Sequence, residues 1–148
     1  MQLEDETYRG EDWYGEDLTE RVYVRCRFAD VDLTEASTRA VRFEECTFSN
    51  VRFNASRHLD SAFLRCTFRH CNFFEASFEG CKLVGSDFRD CELRPLTVIG
   101  GDWSFVHLEG ADLRKATLRG VRMREAELGG ANLGEAVLSD VDLSLIHI

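Results

Sequence analysis

Residues 66–93 read CTFRHCNFFEASFEGCKLVGSDFRDCEL, and they hold four of the six cysteines, Cys66, Cys71, Cys81 and Cys91. With Cys26 and Cys46, every cysteine is separated from the others by a multiple of five residues. Zinc and redox sites use pairs two to four residues apart that converge with a second cluster. No such pairing occurs here. A period of five also matches neither the 3.6 of a helix nor the 2.0 of a simple strand. It is the mark of an internal repeat.

Written in fives, the chain keeps one register without an insertion. A large apolar centre falls at every position whose number ends in 3 or 8, among them Tyr23, Phe28, Phe43, Phe63, Phe68, Phe73, Phe78, Phe88, Leu113 and Leu133. Two residues earlier stands a small residue, such as Val31, Ala36, Ala111 or Ala131, and all six cysteines occupy this slot. The position between is mostly polar: Asp32, Thr47, Asn72, Asp112, Asn132. Small-in, polar-out, large-in is the alternation of a short strand buried on one side. The last two residues, rich in Glu, Arg, Gly, Ser and Asp, supply a corner. One such unit buries nothing alone, so copies must stack into a solenoid. The predicted core comprises Cys26, Cys46, Cys66, Cys71, Cys81 and Cys91 with Phe43, Phe63, Phe68, Phe73, Phe78, Phe88, Leu113 and Leu133. Free cysteine packs as a small hydrophobe, and six free, buried thiols are expected.

The net charge of −9 disfavours direct binding of nucleic acid and favours a basic partner. Residues 1–20 carry eight acids and one arginine, so −7 of that charge lies there. Their small slots hold Glu6, Glu11 and Glu16, the next holds Arg21, and burying unpaired charges is costly. Residues 1–20 are therefore expected to form an acidic, irregular cap or tail, and residues 21–143 the repeat domain. The apolar residues 144–148 lack a polar terminal cap, which points to a covered end or a non-native or truncated C terminus. Thr38 and His58 replace large centres twenty residues apart, and neither His58 nor His70 has an acid or second histidine placed to make a catalytic pair. Around Pro95, the large Leu96 in a small slot predicts local distortion, relaxed at Gly100 and Gly101. No charged-then-apolar leader and no eighteen-residue apolar run is present, so neither secretion nor membrane insertion is expected and the cytoplasm is the expected compartment.

The units ANLGE at Ala131, ADLRK at Ala111 and CNFFE at Cys71 resemble the pentapeptide-repeat family over nearly the whole chain. The resemblance implies an all-β fold, a right-handed quadrilateral β-helix of about seven coils with four pentads each and no inserted loops. At about 4.8 Å per coil the rod is about 35 Å long. Cys26, Cys46 and Cys66 then form one ladder, and Cys71 and Cys91 another. Their spacing lies in the disulfide range, yet parallel side chains and a reducing compartment favour free thiols. The side centred on Trp13, Leu33, Phe53, Phe73, Leu93, Leu113 and Leu133 sums to −4, the side centred on Leu18, Thr38, His58 and Phe78 to −3, and the other two to −2 and 0.

The non-consensus centres Thr38 and His58, with Arg94-Pro95-Leu96-Thr97, are similar to the MfpA/Qnr-type, DNA gyrase-interacting branch of that family. This implies a non-catalytic DNA mimic that binds DNA gyrase and alters fluoroquinolone susceptibility. Asp32, Glu35, Glu75, Glu79, Glu92 and Asp112 are the implied contact residues. No cofactor, metal, direct nucleic acid or membrane partner is implied. Members of the branch form homodimers through a C-terminal helical segment that is absent here. The alternative is an interaction scaffold of the same fold for another partner. An enzyme would need a pocket with convergent polar groups, which a filled solenoid core does not offer.

Overall fold

The computed structural model describes residues 1–148. In chain order the strands are β1 (Gln2–Glu4), β2 (Thr7–Arg9), β3 (Asp17–Thr19), β4 (Val22–Val24), β5 (Arg27–Ala29), β6 (Ser37–Arg39), β7 (Arg42–Glu44), β8 (Thr47–Ser49), β9 (Arg57–Leu59), β10 (Ala62–Leu64), β11 (Thr67–Arg69), β12 (Ala76–Glu79), β13 (Asp87–Arg89), β14 (Leu96–Ile99), β15 (Thr117–Arg119) and β16 (Val137–Ser139). Three parallel sheets run in the orders β1-β4-β7-β10, β13-β11-β8-β5-β2 and β16-β15-β14-β12-β9-β6-β3. Partners are twenty residues apart, as in Leu3↔Tyr23, Phe28↔Phe48 and Thr38↔His58. These sheets are the first, second and fourth sides of a parallel solenoid. The third side is a column of single bridges, Asp12↔Asp32↔Arg52↔Asn72↔Glu92 and then Asp112↔Asn132.

Each side ends in a corner whose last residue is left-handed. Twenty non-glycine residues take this conformation, from Asp60 at φ 48° to Lys115 at φ 64°. Pro95 is the exception among residues 5 to 145, because its ring holds φ negative. Gly101 adds a second left-handed residue at φ 85°, and a Cβ there would lie 2.1 Å from the Cys81 carbonyl oxygen. The backbones approach so closely at this point that only glycine fits.

Inside, aromatic rings stack in register with the strands. Phe28–Phe48, Phe48–Phe68 and Phe68–Phe88 have centroids 4.7, 4.9 and 4.7 Å apart, and Phe53–Phe73 4.6 Å. This repeat equals the strand spacing, so the rings stack face to face along the rod axis. Trp103, a centre of the neighbouring first side, lays its ring parallel to Phe88, with centroids 5.8 Å apart. Thiols fill the small slots and contact carbonyls of the preceding coil, as Cys46 does to Tyr23 (3.4 Å) and Cys81 to His58 (3.2 Å). All six are free. Burial pushes the Cys66, Cys71 and Cys81 thiols up, Cys81 to about 11.

Several expectations need correction. Residues 1–20 are no irregular cap. They wind as a complete first coil, in which β1, β2 and β3 pair with β4, β5 and β6. Glu6, Glu11 and Glu16 do occupy inward slots, but at the open end of the rod they remain exposed, and no desolvation is incurred. Leu3, Tyr8 and Trp13 on the same coil are half-buried, and the Trp13 indole N–H donates to Glu11 at 3.4 Å. Cys91 is only half-buried, unlike the other five thiols. Between the fifth and sixth coils the third side lacks the ladder bonds that the Asp112 and Leu93 amides would make. The equivalent Glu92-to-Cys71 and Phe73-to-Glu92 bonds are formed, at 2.9 and 2.7 Å. Leu133 is likewise half-buried, near the other end of the stack. Residues 144–148 continue the winding, with Leu128 N–H donating to the His147 carbonyl at 2.8 Å.

Candidate interaction face

The third side differs from the sheets because its pentads turn tightly. In five of its seven pentads, all but those of Arg52 and Glu92, an Asp or Asn before the centre accepts a hydrogen bond from the amide two residues on. Asp12 does so from Tyr14 (3.0 Å), Asp32 from Thr34 (2.9 Å), Asn72 from Phe74 (2.9 Å), Asp112 from Arg114 (3.1 Å) and Asn132 from Gly134 (2.9 Å). These are Asx turns, so the carboxylate column on this side begins as backbone chemistry.

Five of the six expected contact residues come together here. Asp32 and Glu35 lie on the second coil, Glu75 on the fourth, Glu92 on the fifth and Asp112 on the sixth, a span of about 19 Å. Glu79 does not join them, because it ends β12 on the fourth side. Their electrostatics are unequal. Asp112 is bound by the Arg114 guanidinium at 2.8 Å, which holds its carboxyl well below the usual range and offsets its charge. Asp32 is held low by its hydrogen bond to Thr34, with Arg52 contributing. Glu35 accepts from the Tyr14 hydroxyl, whose pKa is raised by that bond. The unopposed acidity is therefore concentrated on coils one to four: Asp12, Asp32, Glu35 and Glu75 against Arg52 alone.

Sequence reasoning missed three members of this face. Asp12 heads the column, bridged to Asp32. Tyr14 and Phe74 stand one position after the centre, where side chains point outward, and are 56% and 45% exposed. An aromatic residue in an outward slot was the signal available. The grooves on the surface are shallow, and the one at the adjoining corner is lined by Asp30, Asp32, Asn50, Arg52, His70 and Asn72 among others. No three His, Cys, Asp or Glu side chains meet in an arrangement that could hold a metal ion. No helix is long and apolar enough to cross a membrane.

Comparison with known proteins bears on the same residues. A family model described as the SV2A/B/C luminal domain matches residues 12–93, more than half of the chain, and the model for pentapeptide repeats matches residues 104–140. Both matches fall on the pentads described above. The chain is 41% identical over 87 residues to the pentapeptide repeat protein MfpA of Mycobacterium tuberculosis, covering 59% of this chain and 48% of that protein. It is 50% identical over 42 residues to MfpA of Mycolicibacterium smegmatis, covering 28% and 22%. The match thus spans about half of the first relative and less than a quarter of the second. Among solved structures, a trypsin-treated form of QnrB1, a plasmid-mediated fluoroquinolone resistance protein, superposes with a TM-score of 0.69 at 18% identity, over 99% of this chain and 89% of that one. Full-length QnrB1 gives 0.51 at 14% identity, over 97% and 93%. At such identities the structural likeness speaks for the fold alone.

Proposed function

We propose that this chain, which belongs to the pentapeptide-repeat family and is of the MfpA/Qnr type, is a non-catalytic mimic of duplex DNA that binds DNA gyrase in the cytoplasm and thereby modulates fluoroquinolone susceptibility. The observation that carries the reading is the third side of the rod. There carboxylates gather along one side, with Asp12, Asp32 and Glu92 in a single column that Arg52 and Asn72 interrupt, and with Glu35 and Glu75 beside it. A rod that carries acids along one side can occupy a basic groove shaped for duplex DNA without being cleaved or sliding along it.

Magnitudes temper the mimicry. Duplex DNA carries one charge per about 1.7 Å, whereas a net −9 spread over about 35 Å is one per about 4 Å. Affinity for a DNA-binding groove is therefore expected to fall with salt, but less steeply than that of DNA itself. A scaffold role for another partner is favoured by one observation: residues 21–120 hold fifteen basic and fourteen acidic residues, so the middle of the rod is nearly neutral.

The test is equilibrium binding of the purified chain to DNA gyrase with linear duplex DNA as competitor. Binding that DNA displaces, and that weakens with salt, supports the mimic. Binding that DNA leaves untouched, or none at all, overturns it in favour of another partner.

A further inference from the structure

Three exposed aromatic side chains stand on the flanks of the rod, Tyr14 on the first coil, Phe74 on the fourth and Phe105 on the sixth, at 56%, 45% and 49%. Two of them stand in the same outward column of the third side, three coils or about 14 Å apart. Thr34 and Asn54 lie between them in that column, and Arg94 follows Phe74. The acids of the same face surround the pair. The Tyr14 hydroxyl bonds Glu35, and Glu75 is the corner residue directly after Phe74. The backbone here is ordered by its Asx turn, with the Phe74 amide donating to Asn72 Oδ1 and the Phe74 carbonyl accepting from Ala55 N–H at 2.8 Å. Phe74 is thus a half-exposed ring on a fixed backbone, on the fourth coil at the edge of the acidic half of the face, with Glu75 beside it and Arg94 one coil on.

Resting on the reading above, we infer that Phe74, assisted by Tyr14, is an apolar anchor of the contact face, and that the partner surface is a basic groove containing a shallow apolar recess. A DNA backbone presents no such side chain, so this part of the contact goes beyond charge mimicry. Interfaces concentrate their energy in a few aromatic residues near the centre, ringed by charged residues that set approach and register. On coils one to four the two aromatics stand at the ends, with Asp32 and Glu35 between them and Glu75 beside Phe74. Charge complementarity identifies the occupant as a basic protein surface.

The two contributions separate by salt. An apolar contact changes affinity equally at every salt concentration, whereas carboxylates change the slope of affinity against salt. The experiment measures gyrase affinity across a salt series for the intact chain and for Phe74→Ala, Phe105→Ala and the triple variant Asp32→Asn, Glu35→Gln, Glu75→Gln. Circular dichroism melting confirms that each variant retains the fold. Expected are a loss of about tenfold or more for Phe74→Ala with an unchanged slope, wild-type affinity for Phe105→Ala, and a shallower slope for the triple variant. Binding by the intact chain with Phe74→Ala within twofold of it overturns the anchor and leaves the gyrase reading standing. An equal loss in Phe105→Ala also overturns the anchor. Failure of the intact chain to bind gyrase overturns the reading, and the anchor with it.

Discussion

The Nδ1 atom of His58 lies 2.9 Å from the Thr38 hydroxyl, one coil away in the middle of an aromatic core. The surrounding bonds assign every proton. Ser61 donates to the Leu59 carbonyl at 3.0 Å, so Ser61 accepts from Thr38 at 2.9 Å. Thr38 must then accept from His58 Nδ1–H, which leaves Nε2 to accept from Ser56 at 2.9 Å. The imidazole is neutral, fully satisfied and stacked on Phe78, with centroids 4.7 Å apart. What reads in sequence as two missing hydrophobic centres is one directed chain of hydrogen bonds.

That chain has no acid in it, so burial holds the His58 imidazole down at about 3. The unfolded chain takes up the proton near pH 6.5 while the folded chain refuses it. Stability is unaffected by this group above that pH. Below it, each unit of acidification is expected to cost up to a factor of ten in the folding equilibrium. Denaturant melts between pH 7 and about 4.5 measure this, and His58→Phe is expected to flatten the profile. A pH-independent midpoint in the unaltered chain would show that His58 is not held neutral.

Gly101 and Gly120 make a matched pair. Both are left-handed, at φ 85° and 65°, but a Cβ on Gly101 would strike the Cys81 backbone while one on Gly120 meets nothing within 4 Å. Gly120→Ala is expected to cost about 1 kcal/mol from its conformation alone. Gly101→Ala is expected to cost at least about 3 kcal/mol, because the fifth and sixth coils must separate. Chemical denaturation of both variants checks the difference.

The gap in the third-side ladder predicts unequal protection. The Leu93 and Asp112 amides, which lack ladder partners, should exchange with solvent faster than those of Phe73 and Leu113, bonded at 2.7 and 2.8 Å. In the native protein Cys91 should react first with a thiol reagent, and the five buried cysteines should react only on unfolding. Hydrogen exchange and mass spectrometry of alkylated peptides read the two effects.

Slot and coil act together. Glu6 and Cys46 occupy the same inward position two coils apart, one exposed and one 1% exposed. Glu6→Ala is expected to change stability by less than about 0.5 kcal/mol. Cys46→Glu, which places a carboxylate in the core, is expected to prevent folding near neutral pH. Circular dichroism of the two variants decides it.

Much of this architecture was legible in the residues. The five-residue register placed Phe43, Phe63, Phe73 and Phe78 in the core, put the thiols in small inward slots, and marked Pro95 as an irregular corner. The acidic cap was misread because the pentad pattern says which side chains point inward, not whether a further coil lies beyond them. Tyr14 and Phe74 were passed over because an outward aromatic carries meaning only once its neighbours on adjacent coils are known.

The sequence by itself determined the period, and with it the direction of every side chain, because alternation and corner chemistry are local and act within five residues. Tertiary structure alone decided which residues twenty apart share a surface. Stacking brought Asp12, Asp32, Glu35, Glu75 and Phe74 onto one face, turned Glu79 onto another and linked Thr38 to His58. Those outcomes depend on how many pentads close a coil and on which coil lies at an end, quantities that no single pentad carries.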